Sequence, residues 1–175
     1  MAIPKPFNLN QWINDNRHLL KPPVGNKVVF EDADFIVMVV GGPNARKDYH
    51  YNESEELFYQ IEGDITVRIQ HEGKPMDIEV KEGDIFLLPG NTPHSPIRGE
   101  NTVGLVIERV RIGSDLEDGL FWFCENCNNE LKSYRFKLNN IEVDFLSRFK
   151  EFYASLEMRT CNKCGSIMET DPKFS

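Results

Sequence analysis

Long apolar runs are missing from this 175-residue chain, and none approaches the roughly 20 residues that a membrane-crossing helix requires. Basic clusters are missing too. With 28 acidic against 20 basic side chains and a formal net charge of −8, a surface built to neutralise nucleic-acid phosphates is not expected. Residues 1–10 hold no basic segment leading into an apolar stretch, so no secretory leader is expected, and the cytoplasm is the expected compartment. Internal repeats, low-complexity tracts and Gly/Ser linkers are absent from the sequence, which favours one domain spanning residues 1–175. What is present, 40% hydrophobic and 27% charged residues, is the composition of an ordinary globular protein with one core.

The four cysteines fall in two knuckles, Cys124-x2-Cys127 and Cys161-x2-Cys164. Two such knuckles can close a tetrahedral thiolate site around a metal. Two local disulfides are disfavoured in a reducing compartment, and the repeated spacing argues against four unrelated buried thiols. The interval between the knuckles is longer than a compact ribbon needs, so a folded segment must lie between them.

Asn8 is placed to cap a short helix through Trp12 and Ile13 that ends before Pro22-Pro23. From Val28 the texture becomes β. Strands are expected at Val28–Phe30, Phe35–Val40, Leu57–Ile61, Asp64–Gln70, Met76–Val80, Asp84–Leu88 and Val103–Arg111. Glu62-Gly63-Asp64, Glu72-Gly73-Lys74 and Glu82-Gly83-Asp84 punctuate them as turns. Many short, evenly spaced strands point to a mainly β sandwich or barrel. Phe121–Cys124 and Leu131–Phe136 read as strands flanking the first knuckle. An amphipathic helix over Ile141–Leu156, with Val143 off its apolar stripe, would return the second knuckle to the first. The barrel core is expected at about 28–111 and a C-terminal appendage at about 121–175. His18 and His71 sit in no motif and read as surface residues.

His50, Glu56 and His94 carry the chemistry of interest. Two imidazoles and one carboxylate converging on a barrel mouth would form a facial triad for non-haem Fe(II). Spacing alone leaves open a surface histidine and a solvated glutamate. His50-x5-Glu56-x6-Gly63 resembles the first cupin motif, and Gly83-x5-Pro89-x4-His94 resembles the second. Asn44 and Asn91 stand where those motifs carry glycine. Asn52 stands where many cupins have a further metal histidine, and Arg98 replaces their final asparagine. A lost ligand opens a coordination position, and a gained cation suggests an anionic substrate.

Along nearly its whole length the chain resembles the bacterial and fungal 3-hydroxyanthranilate 3,4-dioxygenases, which are cupin jelly rolls. The resemblance rests on the blocks Leu20–Asn26, Asp34–Val37, Val40–Asn44, Asp48–His50, Glu55–Gln60 and Glu82–Pro89. It continues through His94–Pro96, Val106–Arg109, Trp122–Cys127, Phe152–Ser155 and Cys161–Cys164. It implies a jelly-roll barrel with a few peripheral helices and a four-cysteine metal-binding appendage. His50, Glu56 and His94 would hold catalytic Fe(II); Glu55 would face away from Glu56 in an extended segment. Arg46 would lie beside the oxygen, Arg98 would hold the substrate carboxylate, and Glu108 would stand by the hydroxyl and amine. Cys124, Cys127, Cys161 and Cys164 would hold a second iron, or zinc, in rubredoxin-like fashion.

The implied partners are 3-hydroxyanthranilate, O2 and a second copy in a homodimer. The implied product is 2-amino-3-carboxymuconate semialdehyde, which cyclises to quinolinate in tryptophan degradation and NAD synthesis. A different cupin enzyme and a non-catalytic small-molecule sensor are the competing classes. Arg98, Glu108 and the four-cysteine tail argue against the first, and the acidic charge and the lack of a basic recognition helix argue against a DNA-binding form of the second.

Overall fold

The structure is a computed structural model that describes all residues except 1–2, 23–24, 32 and 172–175, and leaves the side chains of 141 and 142 undescribed. Helix α1 (Leu9–Asn16) runs into a 3-10 turn (Arg17–Leu20). Nine strands follow, β1 (Asn26–Val28), β2 (Phe35–Gly41), β3 (Asp48–Asn52), β4 (Glu56–Glu62), β5 (Ile65–His71), β6 (Lys74–Val80), β7 (Ile85–Leu88), β8 (His94–Arg98) and β9 (Val103–Arg109). The C-terminal part adds β10 (Glu117–Phe123), β11 (Glu130–Lys137), α2 (Ile141–Ala154) and α3 (Leu156–Arg159).

The strands form two antiparallel sheets, ordered β1-β2-β9-β4-β7 and β11-β10-β3-β8-β5-β6. Their inner faces pack on each other: Phe58, Leu88 and Val106 of the first meet Ile65, Val67, Ile69 and Val80 of the second in one buried cluster. Alternation along each strand decides which residues enter it. This is the double-sheet jelly roll, the architecture of the cupins. The β5–β6 hairpin closes through Glu72 and Gly73, both with positive φ (48° and 75°), the combination a two-residue type I′ turn demands.

β10 is hydrogen-bonded to β3, so residues beyond the expected barrel segment extend the second sheet. Asn8 caps α1, its side chain accepting from the Gln11 amide at 2.9 Å. Ile13 and Leu20 then pack with Val39 and Val103. Pro23 and Val24 lie outside the described residues. Helix α2 places Phe149, Phe152 and Tyr153 against Leu120 and Trp122 of β10. Trp122 and Phe152 stack with ring centroids 4.2 Å apart. Val143 is exposed, as its position off the stripe implies, and so are Leu146 and Leu156, which the stripe would have buried. Ser155 ends α2 and caps α3, which delivers the second knuckle to the first.

Two strands were not anticipated, β3 and β8, and both carry site residues. In β3 the inward row is Asp48, His50 and Asn52, while Tyr49 and Tyr51 join Phe121 in a separate aromatic cluster. The polar residues therefore point inward, the reverse of the usual pattern. In β8, Pro96 interrupts the strand signal. It is tolerated because β8 pairs over five residues with β5 and through a single residue with β3.

Candidate functional site

His50 and His94 face each other across β3 and β8 as register partners, and Glu56 opens β4 on the opposite sheet. One ligand atom from each of the three lies within 4.8 Å of the others. Glu56 is buried and Glu55 exposed, as the alternation of an extended segment requires. His94 and Glu56 approach to 3.1 Å between Nε2 and Oε2. Two ligands at right angles about 2.1 Å from a first-row ion stand about 3.0 Å apart, so this pair fits such an ion.

Each histidine is oriented from behind. The carbonyl oxygen of Thr92 accepts from Nδ1 of His94 at 2.9 Å, which leaves the Nε2 lone pair for the site. His50 places Nε2 3.0 Å from Oδ1 of Asp118. Burial raises the Asp118 carboxyl, but hydrogen bonds from His50 and Arg111 outweigh it and hold it below the usual range. As an ionised acceptor, Asp118 assigns the proton to Nε2 and leaves the Nδ1 lone pair free. Glu56 behaves alike: burial pushes it up, yet His94, His50 and Arg111 hold it down to about 2, ionised and ready for a cation.

Asn52, where a fourth ligand could have stood, donates through Nδ2 to Oε2 of Glu56 at 3.3 Å and of Glu108 at 3.4 Å. The amide thus holds apart two carboxylates that are direct register partners. Burial and the neighbouring Glu56 charge push the Glu108 carboxyl up, with Arg111 opposing. Asn91, at a motif glycine position, adopts φ 64°, a left-handed conformation that asparagine tolerates better than most residues.

Arg111 and Asp118 were missed from the sequence. Arg111, completely buried, donates from Nε to Asp118 at 2.8 Å and from Nη1 to Glu108 at 2.8 Å. One guanidinium therefore ties the acid behind His50 to the acid beside Glu56. The parity of Asp118 with Leu120 and Trp122 in a strongly apolar strand was the available signal. Nothing local marked Arg111.

Arg98 is buried on the same inward row of β8 as His94. Among the described residues its side chain bonds only the neutral amide of Gln60, Nη1 to Oε1 at 3.1 Å. Burial lowers its pKa to about 10, opposed by the charge of Glu56. The Arg46 guanidinium pairs with Asp48, lies 5.6 Å from the Phe149 ring centroid and feels the charge of Glu56. Phe145 of α2 places its ring centroid 5.5 Å from that of His50. A cavity of about 820 Å³ on the outer side of the β10-containing sheet is lined by Arg46, Cys124 and Cys127 but by none of the triad. His18 and His71 are exposed.

The four cysteine sulfurs converge within 4.8 Å. Cys124 and Cys164 are 3.5 Å apart, and Cys127 and Cys161 3.6 Å. A disulfide requires about 2.05 Å, whereas a tetrahedron with metal–sulfur bonds of about 2.3 Å has edges of about 3.8 Å. The quartet fits a closed metal site.

Residues 1–153 match the family described as 3-hydroxyanthranilic acid dioxygenase. A relative from Xanthomonas euvesicatoria, named 3-hydroxyanthranilate 3,4-dioxygenase, is 50% identical over 175 residues, covering 100% of this chain and 98% of its own. A Bacillus thuringiensis relative of the same name is 50% identical over 163 residues, 93% of this chain and 90% of that one. Among solved structures, a cupin-2 domain protein from Shewanella frigidimarina aligns with TM-score 0.47 at 19% identity, over 56% of this chain and 92% of that one. By the family match and by full-length identity at this level, the chain belongs to the 3-hydroxyanthranilic acid dioxygenase family.

Proposed function

We propose that the protein cleaves the ring of 3-hydroxyanthranilate with O2, using Fe(II) held by His50, Glu56 and His94. The observation that carries this reading is a buried, uncompensated guanidinium on the strand that bears His94. Arg98 lacks a carboxylate partner among the described residues and is already costly to bury, so an anionic substrate group would satisfy it. The iron would supply open positions at which O2 and the substrate's adjacent hydroxyl and amino groups meet.

The remaining work falls to side chains. Arg98 offers two parallel N–H groups to the ring carboxylate and fixes the ring's rotation. Glu108, raised above an ordinary carboxyl, takes the phenolic proton on Oε and is a better base for being so raised. Arg111 keeps that carboxylate aimed by its 2.8 Å hydrogen bond. Arg46, tethered by Asp48, supplies positive charge on the oxygen side. Phe145 limits water over the cluster. Both oxygen atoms enter the broken ring, giving 2-amino-3-carboxymuconate semialdehyde and then quinolinate.

The same reading gives the four-cysteine site iron or zinc in a purely structural role, since four thiolates leave no position for substrate. It places the protein in the cytoplasm, where thiols stay reduced, and as a homodimer; no described helix is long and apolar enough to cross a membrane. The test is to load Fe(II) anaerobically, admit oxygen with 3-hydroxyanthranilate, and follow the absorbance of the semialdehyde. Its appearance at a rate proportional to loaded iron supports the proposal, and unchanged substrate overturns it.

A further inference from the structure

The inward rows of β4, β8 and β9 meet at Arg98. Gln60 and Gly104 are register partners on β4 and β9, and both are buried. The Gln60 amide is fixed at both ends. Its Oε1 accepts from Arg98 at 3.1 Å, and its Nε2 donates to the Glu62 carbonyl at 2.9 Å. Flipping it would set an NH2 group against a guanidinium that has donors only.

Gly104 supplies the space. A Cβ there would lie 2.8 Å from Oε1 of Gln60, 2.9 Å from Nη1 of Arg98 and 3.4 Å from Nη2. Any side chain would displace the pair. Its backbone is extended, so φ does not demand glycine; close approach of the guanidinium does. The amide also matters for being neutral. A carboxylate in its place would form a buried ion pair with Arg98 and remove the demand for an anion.

We propose that Gln60 and Gly104 are specificity-determining positioning residues: they seat the Arg98 guanidinium with one neutral hydrogen bond and leave its charge for a substrate carboxylate beside the amino group. The inference rests on the reading of Arg98 given above. A glycine notch and a neutral acceptor together set a preference for carboxylated over plain aminophenols.

The experiment is anaerobic titration of 3-hydroxyanthranilate and of 2-aminophenol into Fe(II)-loaded wild type, Gln60→Glu, Gly104→Ala and Arg98→Ala, with iron content measured for each. Loss of a charge-assisted contact should weaken 3-hydroxyanthranilate about 10-fold or more in Gln60→Glu and Gly104→Ala. Affinity for 2-aminophenol and iron content should stay at the wild-type level. General damage to the fold would weaken both ligands alike, and that result overturns the proposal. Wild-type binding of 3-hydroxyanthranilate by Gln60→Glu overturns it as well; this variant keeps the shape of the native side chain and decides the matter if Gly104→Ala fails to fold. If Arg98→Ala separates the two ligands while the seat variants do not, only the seat is wrong. If Arg98→Ala does not separate them, the reading of Arg98 falls and the seat falls with it.

Discussion

The carboxylate of Asp118 lies 3.0 Å from Nε2 of His50. Its other oxygen lies 2.8 Å from Nε of Arg111, whose Nη1 reaches Glu108 at the same distance. A proposed ligand histidine and a proposed base are thereby joined through one buried guanidinium. Removing the acid in Asp118→Ala strips a fully buried charge of a partner. We expect a stability loss of about 3–5 kcal/mol, read by chemical unfolding, and a fall in Fe(II) affinity of about 10- to 100-fold, read by metal titration. Wild-type values in both would remove Asp118 from the account.

His50→Ala and His94→Ala test the proposed ligands themselves. Each removes one of three proposed protein ligands, and a ligand's contribution is a large part of metal-binding free energy. Both variants should emerge folded, with iron lost from the jelly-roll site and turnover abolished. Full activity with stoichiometric iron in either one contradicts the assignment.

The parts of this site that were legible in the sequence are those whose surroundings follow ordinary patterning. In β5, Val67 and Ile69 alternate with polar neighbours because one face meets the core and the other is more open, so the strand announces itself. In β3 the inward side chains are Asp48, His50 and Asn52, so burial is polar and the alternation reads backwards. The family resemblance singled out Glu56, strand parity set Glu55 on the opposite face, and the exposure of Glu55 agrees. Arg111 gave no such sign, because Asp118 meets it only once β9 and β10 have folded into different sheets. The position of Arg46 against Phe149 likewise depends on where α2 packs.

Cys124→Ser and Cys161→Ser separate structure from catalysis. A closed thiolate site contributes folding energy and offers no open position. Both variants should lose soluble yield and thermal stability, while protein that folds and loads iron at the His50 site keeps its turnover. Thermal melts and activity normalised to that iron measure the two effects. Catalysis that vanishes in a folded, iron-loaded variant would contradict the division of roles.

Replacing Asn52 with leucine keeps similar bulk but removes the amide between Glu56 and Glu108, whose Oε2 atoms it reaches at 3.3 and 3.4 Å. Two buried carboxylates would then face each other with one fewer donor. The expected cost is about 1–3 kcal/mol of stability in the metal-free protein, recovered in part when Fe(II) binds. Metal-free and metal-loaded unfolding curves compare the two. An unchanged metal-free midpoint would show that the amide does not bridge the acids.

The most direct test of the central claim is oxygen stoichiometry. Fe(II)-loaded protein is mixed with limiting 3-hydroxyanthranilate in an oxygen-electrode cell, without any reductant, and the product is quantified. A ring-cleaving dioxygenase consumes one O2 for each substrate molecule and yields an equal amount of semialdehyde, later recovered as quinolinate. Oxygen uptake that needs an added reductant, or uptake with no ring-opened product, would contradict the account.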